Sequence, residues 1–190
     1  SFDKLIEPEF AQNSRLLSTS GFRDAGEATS SLVRLRAAAR QDEANRDGLT
    51  IQADPSWYAT LIRILNEAPD ADAVLRTVEE FVRKCFPASD AFDLFEKTPR
   101  SLEVLARLSC GSPFLTQCVL SQPTALRELT TERRTADVKS RNEFRDEAAG
   151  ALRQMATSEA KLTELRRYQR REILRIGMCD AFGLMDLKFV

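Results

Sequence analysis

The chain has 190 residues, 43% apolar and 30% charged, with a formal net charge of −1; this is the balance of a soluble globular protein with room for one domain or two small ones, and it lacks the basic excess of a nucleic-acid binder. There is no histidine, which removes the commonest general base and metal ligand and excludes a Ser-His or Cys-His nucleophile pair within the chain. Cys85, Cys110, Cys118 and Cys179 form no C-x-x-C pair, so a zinc knuckle or a thioredoxin-like motif is unsupported; scattered free thiols in a reducing cytosol are expected, with a disulfide set as the alternative.

No apolar run approaches the ~20 residues needed to span a bilayer. No signal peptide opens the chain, so a cytoplasmic protein without membrane association is expected. The first residue is Ser1, and the segment after Asp180 stops abruptly. A piece of a longer protein is therefore expected.

Taken in order, Phe2 to Leu17 reads as short helices on either side of a kink at Pro8, or one irregular helix after it. Ser18 to Gly21 is a break. Asp24 is placed to cap a helix, with Glu27 at capping-box spacing and Leu32, Leu35 and Ala39 on its apolar face. Asp47-Gly48 is a turn signal. Asp54-Pro55 predicts a cap followed by proline at the first helical position, with Trp57, Leu61, Ile64 and Leu65 inward. Ala68-Pro69-Asp70 ends that helix and caps the next. There Val74, Leu75, Val78, Phe81, Val82 and Cys85 repeat at 3.6 residues as far as Phe86-Pro87.

Ala91 to Phe95 is a short helical segment. Helix starts then recur at Thr98-Pro99, Ser112-Pro113 and Gln122-Pro123, because proline suits a first turn and disfavours helix in the residue before it. Short helices restarted this way must pack at changing angles. No fixed period supports a repeat solenoid. Thr131 to Met155 is strongly charged and predicts a solvated helix with Val138, Phe144, Ala148, Ala151 and Leu152 inward; a partner-docking helix is the alternative. Thr157 or Ser158 caps the last helix. Nothing reads as a confident strand. The expected fold is all-α, an irregular multi-helix array of about nine or ten helices ending in a long helix. It is read as one helical domain over 1–190, with a possible division into a helical array over 1–131 and two long helices over 132–190.

The clearest pattern lies in Lys161 to Asp180. At 100° per residue, Leu162, Leu165, Gln169, Ile173 and Ile176 share one stripe, and Arg167, Arg171 and Arg175 share another. The helix thus has an apolar seam and an arginine ridge. Arg166, Arg167, Arg170, Arg171 and Arg175 suit phosphates or carboxylates, but Glu164 and Glu172 lie close enough to neutralise part of the ridge. A solvated or ion-paired face is expected, and a partner interface is the competing reading. Gly177 suggests close packing, and Gly183 a helix stop. No phosphate-cradling glycine loop occurs. Asp180 and Asp186 lack the alternating spacing of catalytic metal carboxylates on a strand. No catalytic, cofactor-binding or metal residue is therefore assigned, and Arg167, Arg171 and Arg175 are the candidate interface.

Three segments together resemble one family. Gly21-Phe22-Arg23-Asp24 opens a helix with Leu32, Leu35 and Arg36. The block from Thr98-Pro99-Arg100 through Leu102, Leu105 and Leu108 continues in Gly111-Ser112-Pro113-Phe114-Leu115-Thr116, Leu120 to Pro123 and Leu129. The third is Leu165-Arg166-Arg167-Tyr168-Gln169-Arg170-Arg171-Glu172-Ile173-Leu174-Arg175-Ile176, followed by Asp180. In order and spacing they are similar to the glutamine synthetase adenylyltransferase family, over about residues 21 to 187.

The resemblance implies a non-catalytic helical region preceding a nucleotidyltransferase domain of the same chain. It implies a parent enzyme that adds AMP to, or removes it from, glutamine synthetase in nitrogen regulation. ATP and magnesium would serve the parent, and a nitrogen-signalling regulatory protein would be a further partner. The family's Asp-x-Asp carboxylates are not in these residues, so no catalytic residue carries over and the chain alone is expected to be inactive. The competing reading is a stand-alone helical interaction module that docks an acidic partner through the arginine ridge.

Overall fold

Proline sets the helix boundaries. The computed structural model describes residues 21–47, 55–85, 87–131 and 137–183, with only the backbone at 42–47. Every described proline stands at the start of a helix or between two helices. Ala68 (ψ 138°) and Ser112 (ψ 104°), each before a proline, are extended, as the clash with the proline ring requires. The helices so delimited are α1 (Ala25–Asp47), α2 (Ser56–Glu67), α3 (Ala71–Lys84), α4 (Ser89–Lys97), α5 (Arg100–Gly111), α6 (Pro113–Ser121), α7 (Pro123–Thr131), α8 (Arg141–Leu152) and α9 (Ser158–Ala181). No strand occurs among the described residues. The fold is all-α, with nine helices in those residues and a long helix at the end.

Local chemistry explains most of the starts. Asp24 Oδ1 accepts from the backbone N–H groups of Gly26 at 2.9 Å and Glu27 at 3.0 Å. Asp70 Oδ1 accepts from Ala73 N at 2.8 Å. Each carboxylate satisfies amides that would otherwise lack partners in the first turn, as an N-cap does. Helix α2 departs from expectation. Asp54 lies outside the described residues, and Pro55 itself occupies the cap position. Glu96 of α4 takes part of the capping role: Ser56 Oγ donates to its Oε1 at 2.7 Å, and Trp57 N to its Oε2 at 3.3 Å. The segment around Pro8, where a kink is expected, and Gly48, Phe86 and Asp186 also lie outside the described residues.

The chain divides into two compact units, Ser1–Ser112 and Pro113–Val190. In the first, α3 packs on α5, α2 packs on α3, α4 and α5, and α1 packs on α3 and α4. The 3.6-residue stripes meet as predicted: Leu32, Leu61, Leu65, Phe81, Phe95, Leu102 and Leu105 are fully buried. Trp57 stacks on Phe92 with centroids 5.5 Å apart, and Phe81 lies 5.7 Å from Phe95. Aromatic side chains bring a large buried area and a further geometric preference for such pairs.

In the second unit, α9 packs on α6 and α8, and α6 packs on α7. Val119, Leu126, Leu174 and Cys179 are buried. Gly177 lets α6 approach closely, since a Cβ there would lie 2.5 Å from Leu115 Cδ1. Gly183, at φ +62°, takes the left-handed conformation that follows a helix end. Helix α8 opens with a capping box, in which Ser140 Oγ accepts from Glu143 N and Glu143 Oε2 accepts from Ser140 N. None of its side chains is fully buried. Val138, expected inward, is exposed; it lies in the connection before α8, outside the helical period used to place it. All four cysteines are free thiols; Cys118 and Cys179 are buried, and Cys110 is exposed. No described helix is long and apolar enough to cross a membrane.

Candidate functional site

Helix α9 carries the chemistry of the second unit, and its two faces are reversed relative to a simple apolar-inward reading. Leu162 and Leu165 are 54% and 42% exposed, whereas Arg175 is 3% exposed and Glu172 is 5% exposed. The arginine ridge thus turns toward the protein along its C-terminal half, and the N-terminal half of the apolar seam turns to solvent.

The inward face tolerates charge because the charges have partners. Arg175 Nε donates to Glu172 Oε2 at 2.8 Å, one turn earlier on α9. Arg175 Nη1 donates to the Asp137 carbonyl at 3.1 Å, in the connection leading into α8. Lys139, in the same connection, donates from Nζ to Glu172 Oε1 at 2.9 Å and to Glu147 Oε2 at 2.7 Å. The Tyr168 hydroxyl donates to Glu147 Oε2 at 3.0 Å, with the Phe144 carbonyl 3.3 Å away. Lys139 Nζ also lies 5.9 Å from the Phe144 ring centroid, within cation–π range. Arg171 pairs with Glu128 of α7 at 3.4 Å.

These groups surround a cleft of about 660 Å³, lined by α7, the segment before α8, α8 and α9. Lys139, Arg167, Arg171 and Arg175 face Glu128, Asp137, Glu143, Glu147 and Glu164 around it. A buried carboxylate without a counter-charge would be costly, and removing one member of a buried pair exposes that cost. Burial alone would raise the Glu147 carboxyl. Hydrogen bonds from Lys139 and Tyr168, with the charges of Lys139 and Arg171, outweigh it and hold the group below its ordinary value. Tyr168 is pushed well above its ordinary value by burial first, then by its hydrogen bond to Glu147 and the charges of Glu172 and Glu147. Its proton is held by the Glu147 carboxylate beside the Phe144 carbonyl and is hard to remove.

Of the three candidate interface residues, only Arg167 is exposed; Arg171 is half-buried and Arg175 is buried. The ridge does not stand free as a unit, because partners distant in sequence draw its C-terminal end inward. Lys139, Glu147 and Tyr168 complete the network, and sequence reasoning did not single them out as a group. The Lys139-to-Glu147 spacing places one before α8 and one within it, and no local period links either to Glu172.

Among the described residues, no three histidine, cysteine, aspartate or glutamate side chains gather with metal-site geometry, and Asp180 is exposed on α9. What the arrangement does is fasten α8 to α9 and α9 to α7 by charge.

Comparison with known proteins converges on one group. The family model described as Glutamate-ammonia ligase adenylyltransferase matches residues 102–190. A bifunctional glutamine synthetase adenylyltransferase/adenylyl-removing enzyme from Thioalkalivibrio sulfidiphilus (strain HL-EbGR7) is 28% identical over 176 residues. That alignment covers 90% of this chain and 18% of the relative, so the chain spans less than a fifth of the relative's length. No solved structure matches.

Proposed function

We propose that the chain, whose residues 102–190 match the glutamate-ammonia ligase adenylyltransferase family model, is a non-catalytic helical scaffold of an enzyme that adenylylates and deadenylylates glutamine synthetase. The observation that carries this reading is the internal use of charge on α9. Glu172 is bonded by Lys139 and Arg175, and Glu147 by Lys139 and Tyr168. Such a network stiffens a helical joint, and its groups are committed to one another.

In the parent enzyme the scaffold sits beside a nucleotidyltransferase domain of the same polypeptide, which uses ATP and magnesium. Glutamine synthetase and a nitrogen-signalling regulatory protein are its partners, in the cytoplasm. Arg167 is the exposed member of the candidate interface, while Arg171 and Arg175 act as internal struts.

The test is an assay of the purified 190-residue chain with labelled ATP and glutamine synthetase, in both the transfer and the removal direction. Circular dichroism first establishes that the chain is helical and melts cooperatively. The expected result is a folded protein with no AMP transfer and no AMP removal. Turnover by the folded chain in either direction would overturn the reading.

A further inference from the structure

We propose that the outward face of α9 docks an acidic amphipathic helix of a protein partner, which covers Leu162 and Leu165 and sets its carboxylates against Arg166 and Arg170. This inference does not depend on the adenylyltransferase reading; it stands on two observations.

The first is the apolar stripe. Leu162 and Leu165 are exposed, and Gln169, Ile173 and Ile176 continue the same line at helical spacing, the isoleucines half-buried. A large aliphatic side chain left in water forgoes about 1.5–3 kcal/mol of burial energy. Leu162, Leu165, Ile173 and Ile176 stand at i, i+3, i+11 and i+14, with Gln169 interrupting the line, and apolar residues on one helix face are what one helix presents to another.

The second is charge without a counter-charge. Several described arginines meet a carboxylate on the same or a neighbouring helix, as Arg63 does with Glu67 and Glu103 and Arg171 with Glu128. Among the described residues, no carboxylate pairs with Arg166, Arg167 or Arg170. All three line one groove of about 490 Å³, together with Thr163 of α9 and Ser121 and Thr124 at the α6–α7 junction. On the helical wheel Arg166 and Arg170 flank the leucine stripe on one side, and Lys161 flanks it on the other. The stripe is therefore bordered by cations at Arg166 and Arg170 on one side and at Lys161 near its start on the other.

That border selects the occupant. A second copy of α9 would bring arginine against arginine, which opposes self-pairing. A helix with Leu, Ile or Phe anchors and Asp or Glu on both flanks would bury the stripe and place carboxylates within reach of guanidinium forks. The hydroxyls of Thr124 and Thr163 line the same groove.

The probe is a fluorescent peptide of about 18 residues, helical in design, with leucines at one stripe and glutamates on its flanks. A control peptide carries lysine in place of each glutamate. Binding to the whole chain is read by anisotropy at low and at physiological salt. The acidic peptide is expected to bind at least roughly tenfold more tightly than the control, and to weaken as salt rises. Leu165→Asp is expected to weaken it by about tenfold or more. Arg166→Glu with Arg170→Glu is expected to reverse the preference, so that the lysine peptide binds better. All of these side chains are exposed, and circular dichroism verifies that the variants fold. The proposal is overturned if the two peptides bind alike or if Leu165→Asp leaves binding unchanged. It is also overturned if sedimentation shows a dimer that Leu165→Asp abolishes, which assigns the stripe to a second copy. The same holds if pyrophosphate or anionic lipid vesicles bind through Arg166 and Arg170 while the acidic peptide does not.

Discussion

The two units hold together by different means. Between α2, α3 and α4, the first unit interlocks Trp57, Phe81, Phe92 and Phe95, with no charged side chain among them. Between α8 and α9, the second unit ties Lys139, Glu147, Tyr168, Glu172 and Arg175 by hydrogen bonds between 2.7 and 3.0 Å. Apolar packing is non-directional and indifferent to salt and to moderate changes of pH. A charge network is directional, depends on protonation, and is costly once one member is missing. The lesson is that the unit whose sequence looks most like an ordinary surface helix is the one most exposed to chemical conditions.

That contrast can be broken at its strongest point first. Phe95→Ala removes a fully buried ring that touches both Trp57 and Phe81, and is expected to cost about 3–5 kcal/mol. Urea unfolding followed by the fluorescence of Trp57, the sole tryptophan, measures it, and the loss should be the same from low to high salt. Next in size is Glu172→Gln. It leaves Lys139 and Arg175 with a neutral partner at a buried position, and is expected to cost about 3 kcal/mol. A loss near zero in chemical unfolding would show that the network contributes nothing and would erase the contrast.

The smallest effect is the most diagnostic. Tyr168→Phe removes one hydrogen bond, worth about 1 kcal/mol. The phenol's folded-state pKa lies above its unfolded value of about 10. The stability that comes from this shift is therefore complete below pH 10 and is lost as pH rises toward the folded value. Glu147 runs the opposite way: its folded pKa is lowered, so its contribution is complete above an unfolded value of about 4.3 and fades as pH falls through the folded value. The wild-type chain should lose stability above pH 10 more steeply than Tyr168→Phe. Parallel pH profiles for the two proteins would contradict the linkage.

Legibility of the fold in the sequence followed the range of the interactions. Caps at Asp24, Asp70 and Thr157, the proline-set starts and the stop at Gly183 were all readable, because each acts over two to four residues. The apolar stripes of α2 and α3 were readable for the same reason. The cap on α2 was not, since Glu96 reaches it from 40 residues away. The orientation of α9 escaped as well. Periodicity weighs leucine as inward and arginine as outward, and nothing local reveals that Glu172 meets Lys139 across 33 residues or that Arg175 finds the Asp137 carbonyl. Once those partners exist, the charged face can turn in and the leucines are displaced outward. Periodicity places Arg167, Arg171 and Arg175 on one line, but that Arg167 is exposed and Arg175 buried depends on long-range pairing.

The notch at Gly177 has a mechanical consequence. Leu115 fills the space where a side chain would otherwise stand, so α6 and α9 mesh at one axial setting. Sliding α9 by a turn, about 5.4 Å, would set either Ala181 or Ile173 against Leu115. The alanine presents a single methyl group; the isoleucine presents a branched side chain and a larger clash. The joint therefore resists displacement unequally in its two directions, as a ratchet tooth does, and a pull on the end of α9 meets a different barrier from a push.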